Sequence, residues 1–239
     1  PFNNAKIRKA FAMAVERQSL IDNVTKANQT PAHALVPPSI VGVDGKKFRE
    51  LYPDDNYITE NVDEAKKLLA EGMQEEKLSK LPEITLLYNT NEGHKAIAEA
   101  IADMWRKNLG VQVKLANQEF ATFLETRSAQ QFDIARSGWG ADYNHATTFT
   151  YDLIHSKSGN NDGKYSNPQV DKLLDESLQA KDEKERLDKI AQAEKIAIVD
   201  DMGVLPLYYY TTVNMLKPGF ENVVSDYSGQ LDWVFGDKK

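Results

Sequence analysis

The sequence predicts an α/β fold built on a parallel sheet, and three observations carry that prediction. Between residues 83 and 139, strand-like and helix-like segments alternate as β-α-β-α-β, and such crossovers demand parallel strands with right-handed connections. The helical segments on either side carry apolar stripes of helical period and recognisable end signals. The chain has 239 residues and no cysteine, so its fold rests on a hydrophobic core rather than on disulfides.

The elements follow in order. Asn3 or Asn4 is placed to cap a first helix whose apolar stripe is Ile7, Phe11, Ala14 and Val15. A short second helix is expected around Leu20, Ile21 and Val24. The stretch "NQTPAHALVPPSIVGVDG" (28–45) reads as a long loop punctuated by Pro and Gly, packed or functional rather than a linker. "NVDEAKKLLAEGM" has Asn61 and Glu64 at capping-box spacing, then Leu68 and Leu69, with Gly72 read as its stop.

The middle is the most regular part. "EITLLYN" (83–89) is a strand, and the helix after it turns Ile97, Ile101, Met104 and Trp105 inward and ends on Gly110. "VQVKLANQ" (111–118) is a second strand, "FATFLETRSAQ" a helix, and "FDIARSGW" (132–139) a third strand. Asn167 as N-cap with Pro168 at the first helical position opens a further helix. "DEKERLDKIAQAEKIAIVDD" continues as another to about residue 200. "GVLPLYYYTTVNML" (203–216) reads as β-rich.

Composition narrows the chemistry. A net charge of −7 leaves no basic excess to meet phosphates, which argues against a nucleic-acid partner. Lysines alternate with acids in "KDEKERLDK", the pattern of a solvated helix face. No apolar run reaches the roughly 18–20 residues needed to span a bilayer. Without cysteine there is no thiolate zinc site and no Cys nucleophile. The four histidines, His33, His94, His145 and His155, have no HExxH spacing, and no GxSxG, GxGxxG or GxxxxGK[ST] sequence is present. No metal or cofactor is therefore expected. The opening "PFNNAKIRKAF" lacks a methionine and enters a helix almost at once, which suggests a piece cut from a longer chain.

In open parallel sheets, ligands bind beyond the carboxyl ends of the strands. That rule selects three loops: Asn89, Thr90, Asn91 and His94 after the first strand; Gln118, Glu119 and Phe120 after the second; and "RSGWGADYN" (136–144) after the third. Asp133 opens its strand and belongs to the opposite edge. The selected edge carries a carboxylate, Asp142, between two large rings, Trp139 and Tyr143, with Arg136 and His94 nearby. A carboxylate flanked by rings suits a primary ammonium, and Arg136 with His94 suits an anionic group on the same ligand. An ammonium at one end and a carboxylate at the other describe an amino acid or a peptide. Other readings stand beside this one. Asp142 would serve equally as an Asx-turn or N-cap acid before a helix near Ala146. Arg136 would pair with Glu119 or Asp142, and Asp142 with Glu119 would form a hydrolase's carboxylate pair.

"PFNNAKIRKAFAMAVER", "ITLLYNTNEGHKAIAEAIADMWRKNLGVQVKL", "RSGWGADYNHATTF" and "VLPLYYYTTVNMLKP" together resemble the C-terminal half of oligopeptide-binding proteins. These are the extracytoplasmic receptors of peptide ABC importers, within solute-binding family 5, and are not enzymes. The resemblance implies a lobe of the periplasmic-binding-protein type II kind. Residues 1–211 would form the C-terminal ligand-binding lobe, and residues 212–239 would return to a second lobe that is mostly absent. It implies that Asp142 pairs with a peptide's α-ammonium, and that Trp139, Gly140 and the neighbouring backbone hydrogen-bond the ligand main chain as an added strand. Phe120 would wall a side-chain pocket, Tyr210 would contact ligand near the hinge, and His94 and Arg136 would meet the C-terminal carboxylate of longer peptides. The implied partners are an oligopeptide and the membrane permease subunits of an importer. The implied location is extracytoplasmic, in the periplasm or as a cell-surface lipoprotein. Nickel complexes, haem and oligosaccharides are the alternative ligands of such receptors, and a carboxylate at 142 argues against a sugar.

Overall fold

The computed structural model describes residues 1–238; Lys239, the last residue of the expected return segment, lies outside them. Asn4 is the first cap, its side chain accepting the Lys6 and Ile7 amide N–H groups at the start of α1 (Ala5–Met13). Ala14 and Val15, assigned to the same stripe, are fully buried just past its end. α2 (Arg17–Leu20) widens into a π turn over Ile21–Thr25. β1 (Thr30–Pro31) and α3 (Phe48–Leu51) bracket the long loop.

α4 (Val62–Glu75) starts as expected, with the Asn61 side chain accepting the Glu64 N–H at 3.0 Å. It does not stop at Gly72. That residue is buried inside the helix, where a Cβ would lie 2.7 Å from Ile7 Cγ1, 2.9 Å from Asn4 Oδ1 and 3.2 Å from the Ile7 nitrogen. The glycine is there so that α1 and α4 can approach, and part of what a side chain would strike is backbone. Replacing Gly72 by Ala gains about 1 kcal/mol of helix propensity. Overpacking a tight contact costs about 1–3 kcal/mol. Gly72→Ala is therefore expected to lower the urea midpoint of the chain, and a raised midpoint would contradict the close-approach role.

β2 (Ile84–Asn89), α5 (Glu92–Leu109) and β3 (Val113–Gln118) form the unit that was most legible. Asn91 caps α5 and Gly110 ends it at φ 71°, a left-handed conformation that glycine adopts without strain. Trp105 is buried against Phe11, and its indole N–H donates to the Phe11 carbonyl at 2.9 Å, fixing α5 to α1. α6 (Phe120–Ser128) follows, then β4 (Ile134–Ala135). The sheet order is β3-β2-β4 and both pairings are parallel.

β4 is shorter than the 132–139 strand that was expected. At its start the Asp133 carboxylate, not the backbone, takes the Thr85 N–H at 2.9 Å. At its end the Arg136 N–H makes a last bond to the Leu87 carbonyl before the chain leaves the sheet. Asp133 thus lies at the amino edge, as predicted, and residues 136–144 at the carboxyl edge.

α7 (Thr147–Ile154), α8 (Pro168–Leu178) and α9 (Glu183–Lys195) pack over a second core containing Phe48, Ile154, Leu174, Leu187 and Ile190. α9 runs on through a π turn over Ile196–Asp200. The β-rich run 203–216 yields one short strand, β5 (Tyr208–Tyr209), antiparallel to β1. Its partner contains Pro31, which has no N–H to donate, so the ladder stays short. Beyond it, β6 (Phe220–Glu221) pairs with β9 (Asp237–Lys238), and β7 (Val224–Ser225) with β8 (Leu231–Asp232). This segment leaves Met215, Val234 and Phe235 largely exposed. No helix among the described residues is long and apolar enough to cross a membrane.

Candidate functional site

A cavity of about 570 Å³ runs along β4, from Asp133 at the amino edge of the sheet to the loop that opens at Arg136 on the carboxyl edge. Its rim carries His94, Arg136, Gly138, Trp139, Gly140 and Tyr210, and its interior is floored by Leu86, Ile97 and Ile134. Of the eight residues selected from the sequence, five lie on this rim. Asp142 and Tyr143 stand next to it on the same loop, both exposed. Phe120, at the start of α6, is 60% exposed and does not line the cavity.

One hydroxyl ties two points of the loop, beside the Asn144 side chain, which accepts the Val41 N–H, and the Ala141 carbonyl, which accepts the Tyr227 hydroxyl. Thr148, fully buried on the first turn of α7, receives the Trp139 indole N–H at 3.3 Å and the Asp142 backbone N–H at 3.4 Å. Its own proton goes to the Asp152 carboxylate. Trp139 also packs against the second core, so it both ends the sheet edge and anchors the loop. Sequence reasoning missed Thr148, because nothing in "HATTF" sets it apart from its neighbours.

The Asp142 carboxylate forms no hydrogen bond or ion pair among the described residues, and it is not a cap. The start of α7 is served by His145, whose Nδ1 accepts the Thr147 N–H at 3.1 Å. That leaves the His145 proton on Nε2, which faces Glu183 Oε1 at 2.6 Å. Around Asp142 the groups are acidic or phenolic. The Asp152 carboxyl is raised above its ordinary range by burial first and by the Asp142 charge second. The Tyr143 phenol is pushed up by burial, Asp152 and Asp142. The loop thus presents negative charge with no internal cation to answer it.

At the other end of the rim the sign reverses. The Arg136 guanidinium donates to the Tyr210 hydroxyl through Nη2 and, among the described residues, pairs with no acid, neither Glu119 nor Asp142. Gly138 makes room for this contact, since a Cβ there would lie 3.2 Å from Tyr210 Oη and 3.8 Å from Arg136 Nη2. His94, on the first turn of α5, is held below the ordinary histidine range by burial and then by the charge of Arg136, with the Asn89 backbone acting the other way. Its Nδ1 is shielded from solvent and has no well-formed hydrogen bond among the described residues. A neutral imidazole beside a guanidinium is a ready hydrogen-bonding partner for a carboxylate.

Two charges of opposite sign therefore stand six positions apart in one loop without pairing with each other. Among the described residues no group of three or more His, Asp or Glu side chains is placed to hold a metal ion. Glu119, proposed with Asp142 as a hydrolytic pair, does not line the cavity.

Known proteins resemble this chain over most or all of its length. The model of "bacterial extracellular solute-binding proteins, family 5 Middle" matches residues 1–161. The dipeptide-binding protein DppE of Bacillus subtilis is 40% identical over 238 residues, which is 100% of this chain and 43% of that protein. A crystal structure of Haemophilus influenzae OppA in complex with RPPGFSPFR superposes with a TM-score of 0.80 at 36% identity, over 96% of this chain and 43% of the other. Listeria monocytogenes OppA bound to peptide superposes with a TM-score of 0.82 at 30% identity, over 100% of this chain and 45% of the other. The chain spans less than half the length of these relatives.

Proposed function

The chain belongs to family 5 of the bacterial extracellular solute-binding proteins, and we propose that it is the C-terminal part of a two-lobed receptor for short peptides. In this reading the peptide lies extended across the rim, and the part of the receptor corresponding to the rest of its relatives closes over it. Residues 1–211 form one lobe and residues 212–239 return to the other. The receptor hands its peptide to the permease subunits of a membrane ABC importer from the extracytoplasmic side. It binds without bond-making chemistry.

One observation carries the reading: in a single loop, the unpaired acid at Asp142 stands beside the rim and the acid-free Arg136 stands on it. The exposed Asp142 carboxylate serves no contact in the fold, so its charge is available to a ligand. Left apart, they complement a zwitterion whose ends are separated by several bonds. Asp142 takes the α-ammonium, and Arg136 with His94 takes the carboxylate. Trp139 and Gly140 border the main chain, where backbone groups of the loop supply strand-like hydrogen bonds that are indifferent to side-chain identity. Tyr143 and Tyr210 offer ring faces at the two ends, and Phe120 walls a pocket that the second lobe completes. A sugar or an uncharged ligand would leave both charges unanswered.

Calorimetric titration of a tripeptide into the 239-residue chain and into the full-length receptor tests this. Binding by the full-length receptor, absent or much weaker in the chain alone, is the expected result. Absence of binding by both overturns the peptide assignment.

A further inference from the structure

Building on the peptide-receptor reading, we infer that Tyr209 is a positioning residue for the anion-binding end of the rim, acting through Tyr210 on Arg136. Tyr210 is 58% exposed, yet its hydroxyl must stay against the Arg136 guanidinium. The strand that carries it offers little to hold it there. β5 pairs through two residues, one of its partners is Pro31, the nearest further backbone bond is from the Ala32 N–H to the Leu207 carbonyl at 3.1 Å, and just past Tyr210 the Thr211 hydroxyl donates to the Ala27 carbonyl. A ladder of this length is marginal by itself.

Strand alternation shows what supplies the rest. Tyr208 and Tyr210 share one face, their rings 5.3 Å apart in an edge contact, and Tyr209 points the other way. Its hydroxyl lies 3.1 Å from the Ala34 carbonyl and 3.1 Å from Asp54 Oδ2. Asp54 Oδ2 in turn faces Arg49 Nε at 3.5 Å, and Arg49 is held by both oxygens of Glu194, a fully buried residue of α9. Arg49 also donates to the Val36 carbonyl at 2.8 Å. Behind Tyr209 there is thus a fixed frame built from α9 and the loop at residues 34–36. In front of it is the residue that aims Arg136. Burial of the Tyr209 phenol holds it well above the usual tyrosine range, so it stays a donor throughout the physiological range.

The test uses the full-length receptor and two ligands, a peptide with a free C-terminal carboxylate and the same peptide as its C-terminal amide. Tyr209→Phe keeps the ring and removes the hydroxyl. It is expected to weaken the acid by about 5-fold, the scale of one neutral hydrogen bond, and to leave the amide unchanged. Tyr210→Phe should do the same. The double variant should lose no more than Tyr210→Phe alone, because both hydroxyls act on one guanidinium. Asp54→Asn, which keeps an acceptor for Tyr209 but loosens its link to Arg49, should give a smaller loss of the same kind if Tyr209→Phe does not fold. A lowered melting temperature with an unchanged acid-to-amide ratio would reduce Tyr209 to a packing residue and overturn the inference, as would additive losses in the double variant. Failure of the unmodified receptor to bind the acid would instead overturn the peptide reading on which the inference rests.

Discussion

Asp142→Ala in the full-length receptor is expected to weaken a tripeptide with a free N-terminus by about 100-fold while leaving the stability of the protein nearly unchanged. The two halves of that expectation come from the same observation. The Asp142 carboxylate touches no partner within the protein, so its loss breaks no native contact and relieves the repulsion that raises Asp152. A surface change of this kind moves stability by no more than about 0.5 kcal/mol. In the proposed complex, by contrast, the carboxylate would answer a full positive charge. A charge-assisted hydrogen bond is worth about 1.5–3 kcal/mol, and each 1.4 kcal/mol is about tenfold in affinity.

Acetylating the peptide's N-terminus should cost as much in the unmodified receptor and little more in Asp142→Ala, since each change removes one side of the same pair. Asp152 is the one nearby group able to compensate. If it takes over part of the ammonium, the loss in Asp142→Ala will be smaller, and adding Asp152→Asn will restore it to the full size. An unchanged dissociation constant in the double variant would refute the ammonium-binding role.

What the sequence revealed and what it concealed divide along the length scale of each interaction. The β2-α5-β3 unit was legible because its signals are local: Asn91 and Gly110 sit at the ends of the helix they delimit, and Ile97, Ile101 and Trp105 recur at its period. The same holds for Asn167 with Pro168. Gly72 was misread because a glycine late in a helical pattern signals either an end or a close approach, and only the position of Ile7 on another helix separates the two. The strand at 132–139 was overextended because β-propensity continues through Trp139, whereas pairing to β2 ends with the Arg136 N–H on the Leu87 carbonyl, two residues before β2 itself ends.

At the site, the strand-end rule placed His94, Arg136 and Trp139 on one edge from topology alone, and the structure puts all three on the cavity rim. Phe120, chosen by the same rule, is exposed at the start of α6 and does not line the cavity of this chain. Tyr210 came from resemblance, and its bond to Arg136 spans 74 positions, beyond any local pattern. Thr148 and Gly138 were missed for the opposite reason. Each does its work through contacts that an ordinary threonine or glycine would not advertise.

The interaction most hidden from the sequence is the one whose loss should cost the fold most. Arg49 and Glu194 lie 145 positions apart, and nothing in "KKFREL" or "QAEKIA" marks either as other than a surface charge. In the structure Glu194 is fully buried and answers four donors. Oε1 takes the Leu35 and Val36 N–H groups at 2.8 Å each and Arg49 Nη2, while Oε2 takes Arg49 Nη1 at 2.9 Å.

Glu194→Ala takes both carboxylate oxygens from a buried guanidinium, which keeps Asp54 at 3.5 Å and the Val36 carbonyl, and strands two backbone donors at once. Removing one partner of a buried pair costs about 3–5 kcal/mol, and denaturant unfolding of the chain, followed through the buried Trp105, should show a loss of that size. Glu194→Gln separates the contributions. Its amide oxygen still receives the two backbone N–H groups, so the remaining loss reports the charge on Arg49. The paired change Arg49→Met with Glu194→Met removes both charges. In many cores that restores stability, but here Leu35 and Val36 would still lack an acceptor, at about 1–3 kcal/mol each. Recovery should therefore be partial. Full recovery would show that the pair serves only itself. Partial recovery would show that Glu194 is also what fastens the 34–36 loop, the frame against which Tyr209 is set, to α9.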